Sequence, residues 1–252
     1  MTGIEPGQGF WINVTNLASV NLAGVGSSIV GTWYDGSNTN NSVITFFSNG
    51  DYMQAKSVTT NAGATAGIEH GTYTWNAATG AFVPACPATV DTNASDGFCN
   101  GASTTTFTFT VNGNTINFQN NHAQSGTWNR VTDASNPLVG SWSMPVQANG
   151  TGGTNAVITF FSNGDYVMAQ SVMGGTAADQ AALNVRPGLE HGTYTWNATT
   201  GAFVSPCPSI DTNGTAGLSH PNGGACTGQN TIATVNGNTM TWNNLTFSRV
   251  TP

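Results

Sequence analysis

The chain has 252 residues and a mass of 25.9 kDa, room for one large domain or for two of about 110 residues with a core each. Charged residues make up only 6% and glycine reaches 32 copies, a composition that excludes a coiled coil or a charged disordered tail. The net charge of −7, with Lys56, Arg130, Arg186 and Arg249 as the only bases, leaves no basic stripe to neutralise phosphates and excludes nucleic acid as a partner.

No apolar run reaches the ~18 residues of a membrane helix, and the N-terminus lacks the basic and apolar regions of a signal peptide. Residues 1–28 are expected to be a tether, with Phe10 to Val14 as a docked strand. From there, short segments rich in Thr, Val, Phe, Tyr and Trp alternate with Asn-Gly, Asp-Gly or Gly-rich breaks. They predict eight strands: Gly31–Tyr34, Ser42–Ser48, Tyr52–Val58, His70–Asn76, Ala81–Pro84, Thr105–Val111, Thr115–Gln119 and Thr127–Thr132. The turns at Asn49-Gly50 and Asn112-Gly113 supply the positive φ of tight hairpins, so consecutive strands form an antiparallel meander. Eight such strands suffice to close a small barrel without exposed edges.

The pattern then returns. Val43 to Tyr52 recurs residue for residue as Val157 to Tyr166, Glu69 to Asn76 matches Glu190 to Asn197, and Val111 to Thr115 matches Val235 to Thr239. The chain is a tandem duplication, with units over 29–135 and 138–252. Only Ala177 to Leu183, in an insertion of the second copy, predicts a helical turn.

Each copy holds one cysteine pair, Cys86 with Cys99 and Cys207 with Cys226. Two local disulfides are the sharper reading, each stabilising its Gly/Asn/Pro-rich loop by roughly 2–3 kcal/mol and implying an oxidising compartment. Four buried thiols are the plainer alternative. No CxxC or HxH spacing favours a metal, and no metal or cofactor is expected.

Gly31-x-Trp33 with Arg130, repeated as Gly140-x-Trp142 with Arg249, resembles the signature of the calycin superfamily, the lipocalin, fatty-acid-binding and avidin group. The resemblance implies two tandem antiparallel eight-stranded up-and-down barrels, an all-β fold in which that Arg packs across that Trp. It also implies a cup in each barrel for a small apolar or aromatic ligand. The longer wording, Phe-Phe-Ser-Asn-Gly-Asp-Tyr followed by Glu-His-Gly-Thr-Tyr-Thr-Trp-Asn, resembles proteobacterial secreted proteins or lipoproteins over most of both copies. That group supplies no activity to carry over.

In so uncharged a chain, charges held in both copies stand out. Asp51 and Asp165 follow Asn-Gly and are expected to cap turns. Glu69 and Glu190 share a strand face with large aromatics, where an inward carboxylate needs a partner. Structural ion pairs of Glu69 with Arg130 and Glu190 with Arg249 are expected, against a ligand-facing or general-acid role. His70 and His191 point to the opposite, solvated face, while His122 and His220 have no counterparts. Asp91-Thr92-Asn93 and Asp211-Thr212-Asn213 read as Asx turns, with calcium loops as the alternative, since neither has the distal Glu such a loop requires. No catalytic motif appears.

The expected function is non-enzymatic and extracytoplasmic: binding of a small apolar or aromatic ligand by Trp33, Phe46, Tyr73 and Trp75 in one copy and Trp142, Phe160, Tyr194 and Trp196 in the other. A self-associating structural or adhesive module, a lipid anchor upstream, and a hydrolase using Glu69 with Asp91 are the alternatives.

Overall fold

A computed structural model describes residues 28–35, 42–57, 65–93, 97–100, 103–104, 106–121, 125–145, 152–172, 176–215, 217–218 and 226–252. The expected tether, except Ser28, and both His122 and His220 lie outside them.

The first copy contains β1 (Gly31–Asp35), β2 (Ser42–Phe46), β3 (Asp51–Lys56), β4 (Gly67–Trp75), β5 (Ala81–Pro84), β6 (Val90–Asp91), β7 (Cys99–Asn100), β8 (Ser103–Thr104), β9 (Phe107–Asn112), β10 (Thr115–Asn120) and β11 (Ser125–Arg130). Its main sheet runs β3-β2-β1-β11-β10-β9-β5-β4-β6, and β3 also pairs with β4. That extra pairing closes eight antiparallel strands into a calycin-like barrel. Closure depends on the length of β4, whose first part pairs with β3 from Gly67 to Thr72 and whose end pairs with β5 from Tyr73 to Trp75.

The second copy contains β12 (Gly140–Met144), β13 (Gly153–Phe160), β14 (Asp165–Gln170), α1 (Ala177–Leu183), β15 (Gly188–Thr193), β16 (Thr195–Trp196), β17 (Ala202–Ser205), β18 (Ile210–Asp211), β19 (Gln229–Asn236), β20 (Thr239–Trp242) and β21 (Leu245–Arg249). Here the expectation of a second closed eight-stranded barrel is corrected. The strand equivalent to β4 breaks at Tyr194, so the ladder does not run through from β14 to β17, and β16 and β15 fall towards opposite ends of an open ten-stranded sheet.

Among the described residues, burial separates into three apolar clusters. Trp33, Ile44, Phe46, Tyr52, Phe82, Phe98 and Phe109 belong to one inside the first barrel. Trp142, Ile158, Phe160, Tyr166, Phe203 and Trp242 belong to one within the second sheet. The third joins the copies: Val43, Phe47, Met53, Ala55 and Ile68 of the first meet Val157, Phe161, Val167, Ala169 and Leu189 of the second. These are the same positions in both copies, so the repeats dock face to face with near two-fold equivalence. Strands β2, β3, β13 and β14 are consequently buried on both faces over most of their length, and the stretches Val43 to Phe46, Ala156 to Phe160 and Tyr166 to Ala169 read as nearly continuous apolar runs, while β3 also buries Gln54.

The interface corrects the placement of the histidines. His70 Nδ1 lies 2.7 Å from Ser171 Oγ, and His191 Nδ1 lies 2.7 Å from Ser57 Oγ, each bond crossing between copies. At His70 and His191 the outer face of β4 and β15 is covered by the partner repeat, while Thr72, Thr74 and Thr193 further along the same face stay exposed. Burial pushes both imidazoles down, while Asp51 acts in the opposite sense on His70 and Asp165 on His191.

Candidate functional site

Trp33 and Trp142 anchor the start of each repeat. Each indole donates to the carbonyl four residues back, Ile29 at 2.7 Å and Leu138 at 2.9 Å. Arg130 lies 3.9 Å over the Trp33 ring and Arg249 4.1 Å over that of Trp142, the stacking implied by the calycin resemblance. Gly31 and Gly140 adopt φ of +124° and +128°, and a Cβ on either would collide with the guanidinium, 2.2 and 2.5 Å from its Nη1. Glycine in this motif is therefore required twice over, by backbone and by space.

Those same arginines settle the expected ion pairs. Arg130 donates to Val30 O at 2.7 Å and Ser28 O at 2.9 Å, and Arg249 to Val139 O at 2.8 Å and to Pro137 O. Both guanidinium groups tie the entering chain to the last strand through backbone carbonyls, and neither the Glu69–Arg130 nor the Glu190–Arg249 pair is formed.

Glu69 does face inward, at 0% exposure, but its partners are a loop and a tyrosine. Tyr52 Oη donates to it at 2.5 Å, and the backbone N–H groups of Phe98 and Cys99 donate at 3.1 Å each. Desolvation raises the Glu69 pKa above its ordinary value despite these three donors, and the same burial, with the neighbouring carboxylate, drives the Tyr52 hydroxyl far up. Gly97 sits directly over the carboxylate, where an added Cβ would be 2.0 Å from Oε2. In the second copy Leu218 N–H donates to Glu190, and a Cβ on Gly217 would be 2.1 Å from its Oε2. The buried glutamate is thus a latch for the cysteine-bounded loop. Asp91 stands beside Glu69 in register on β6, and Asp211 beside Glu190 on β18. Asn93 and Asn213 N–H groups donate to Asp91 and Asp211, forming the expected Asx turns. Asp51 and Asp165 likewise close their turns, each bonding Asn49 or Asn163 side chains. Both disulfides are present, Cys86–Cys99 and Cys207–Cys226.

The latch carries different cargo in the two copies. In the first it inserts Phe98, 4% exposed, against the rings of Phe46, Tyr52, Phe82, Phe107, Phe109 and Trp128. In the second, Leu218 stands where Phe98 does, Thr231 where Phe107 does, and Ala233 where Phe109 does. Three aromatic rings are lost from the interior. A recess of about 180 Å³ accompanies that loss, lined by Met144, Ile158, Met168, Leu218, Trp242 and Phe247, with Gln229 and Asn243 among the polar residues at its wall.

None of the eight aromatics expected to hold a ligand lines this recess. Phe46 and Phe160 are at 0% exposure within the clusters. Tyr73 and Tyr194 donate to the carbonyls of Phe47 and Phe161, at 3.1 and 2.8 Å. Burial pushes the Tyr73 hydroxyl up to about 12. Trp75 and Trp196 are half-buried and donate to Phe109 O and Ala233 O. Sequence reasoning missed Met144, Met168, Leu218, Trp242 and Phe247 because it searched for residues the copies share. The signal lay where the copies differ.

The chain matches no known family model, no curated protein and no solved structure. Its likeness to calycins rests on the closed barrel and on the Gly-x-Trp/Arg geometry. Among the described residues, no cluster of three or more His, Cys, Asp or Glu is placed to hold a metal ion, and no helix is long and apolar enough to cross a membrane.

Proposed function

We propose that this protein binds a small apolar or aromatic ligand within its second repeat and acts outside the cytoplasm. The observation that carries the reading is the apolar recess where Phe98, Phe107 and Phe109 are replaced by Leu218, Thr231 and Ala233. Its volume is about 180 Å³ and it opens to solvent, room for a single ring or a short branched chain held against the apolar wall. Met144 and Met168 suit an adaptable apolar wall. In this reading the second sheet serves as a second calycin-like cup, with Tyr194 bridging the split strand, and the first barrel is a filled scaffold. The two disulfides support an oxidising compartment.

Leu218→Phe restores at this position the ring that the first copy carries. Calorimetric titration with toluene is expected to show binding to the wild type and at least a tenfold weaker affinity in the variant, about 1.4 kcal/mol. Equal affinity in both proteins, or no heat in either, would overturn the assignment.

A further inference from the structure

Five Asn-Gly steps lie wholly within the described residues, beginning at Asn49, Asn112, Asn163, Asn213 and Asn236. This dipeptide carries a reaction of its own. The Gly nitrogen, once it has lost its proton, attacks Cγ of the Asn side chain, so that a C–N bond forms and ammonia is expelled. Water then opens the resulting succinimide at either carbonyl and leaves Asp or isoAsp. Glycine favours the attack because no Cβ obstructs the approach. Within a fold, the rate depends on whether the side-chain amide and the attacking nitrogen are free to meet.

Three of the five are tied down. Asn49 and Asn163 are exposed, but each Nδ2 donates to the Asp two residues on, at 2.9 and 2.7 Å, and each Oδ1 accepts the N–H of that Asp at 3.1 Å. Gly50 and Gly164 commit their own N–H groups to Phe47 O and Phe161 O, at 3.2 Å each. Asn213 is at 0% exposure, and Gly214 N–H donates to Asp211 Oδ1 at 3.1 Å. The other two steps occupy equivalent positions at the tips of the β9–β10 and β19–β20 hairpins. Asn112, Gly113, Asn236 and Gly237 are all exposed, neither Asn side chain forms a hydrogen bond among the described residues, and nothing stands within 4 Å of where a Cβ on either glycine would lie. In the first copy Thr115 Oγ1 also donates to Asn112 O at 2.9 Å, drawing electron density out of the peptide unit whose N–H must ionise.

We infer that, of these five, Asn112 and Asn236 are the sites of spontaneous deamidation in the folded protein, one in each copy, and that Asn49, Asn163 and Asn213 are protected by their hydrogen bonds. Exposure alone does not separate them, since Asn49 and Asn163 are exposed as well. Each conversion adds one negative charge, so the pair takes the net charge from −7 to −9 in a chain that has few charges of any kind. IsoAsp also lengthens the backbone by one methylene two residues before Asn114 and Asn238, whose carbonyls accept the N–H of Arg130 at 2.8 Å and of Arg249 at 2.9 Å. The modification falls beside the strand that ends each repeat.

The test incubates the full wild-type chain, disulfides intact, in mildly alkaline buffer with and without concentrated urea. Peptide mapping by mass spectrometry follows each Asn as a gain of one mass unit. Urea gives the rate that each local sequence sets by itself, and the folded chain gives the rate left by the structure. Folding is expected to slow Asn49, Asn163 and Asn213 at least about tenfold more than Asn112 and Asn236, since two or more hydrogen bonds must break before the attack. Equal slowing at all five sites, greater slowing at the two hairpin tips, or conversion confined to the urea sample would overturn the assignment.

Discussion

Glu69 shows how a single side chain can organise a loop in a chain with so few charges. Its carboxylate holds Tyr52 Oη and two loop N–H groups, and Gly97 permits the loop to pass within reach. Because burial raises its pKa above 4.5, the sign of its pH effect is opposite to that of a salt-bridged carboxylate. Its favourable contribution is complete below the unfolded value and fades as pH rises through the folded one. Glu69→Gln removes the charge and keeps one acceptor oxygen. Urea unfolding is expected to show wild type losing stability relative to this variant as pH rises above 4.5, whereas Glu69→Ala, which strands three donors, is expected to lose about 3 kcal/mol or more. A wild type that gains on the Gln variant with rising pH would contradict the assignment. An inward carboxylate beside aromatics was legible from the alternation along His70–Asn76. Its partner was not, since a backbone N–H leaves no trace in side-chain identity.

At the level of strands and loops, turn chemistry and alternation marked the eight barrel strands of the first copy and the helix over Ala177–Leu183. The face-to-face docking was harder to read. Runs such as Val43-Ile44-Thr45-Phe46-Phe47 lack the polar alternation of a strand with one wet face, and they do so in both copies. That is the trace of burial on two sides, and it also relocates His70 and His191 from solvent to the interface. Both imidazoles titrate lower in the fold than the ordinary 6.5, so the unfolded chain takes up protons first as the pH falls. Thermal stability is therefore expected to drop progressively below about pH 6.5, a slope that calorimetry should find flattened in the double variant His70→Gln/His191→Gln. An unchanged slope would remove the reciprocal Ser–His contacts from any role in that dependence.

Across the whole molecule, duplication has produced three packed interiors rather than one, with the two repeat cores on either side of a shared interface. Repetition made this architecture legible, and the same repetition concealed the recess proposed as the site. Positions held in common, such as Trp33/Trp142 and Phe46/Phe160, carry the fold, while Phe98/Leu218 and Phe109/Ala233 carry the difference in packed volume. The break at Tyr194, which opens the second sheet, has no counterpart in the residue pattern, because Tyr73 and Trp75 stand in an unbroken β4 with the same neighbours. The claim on which the account turns is that one repeat is filled by its own side chains and the other is not. Crystals of the full chain under xenon test it directly, since xenon settles by dispersion wherever unfilled apolar space remains, without regard to hydrogen bonding. The expected result is xenon density between Met144, Met168, Leu218 and Phe247 and none around Phe98; density around Phe98, or a second repeat without any, would contradict it.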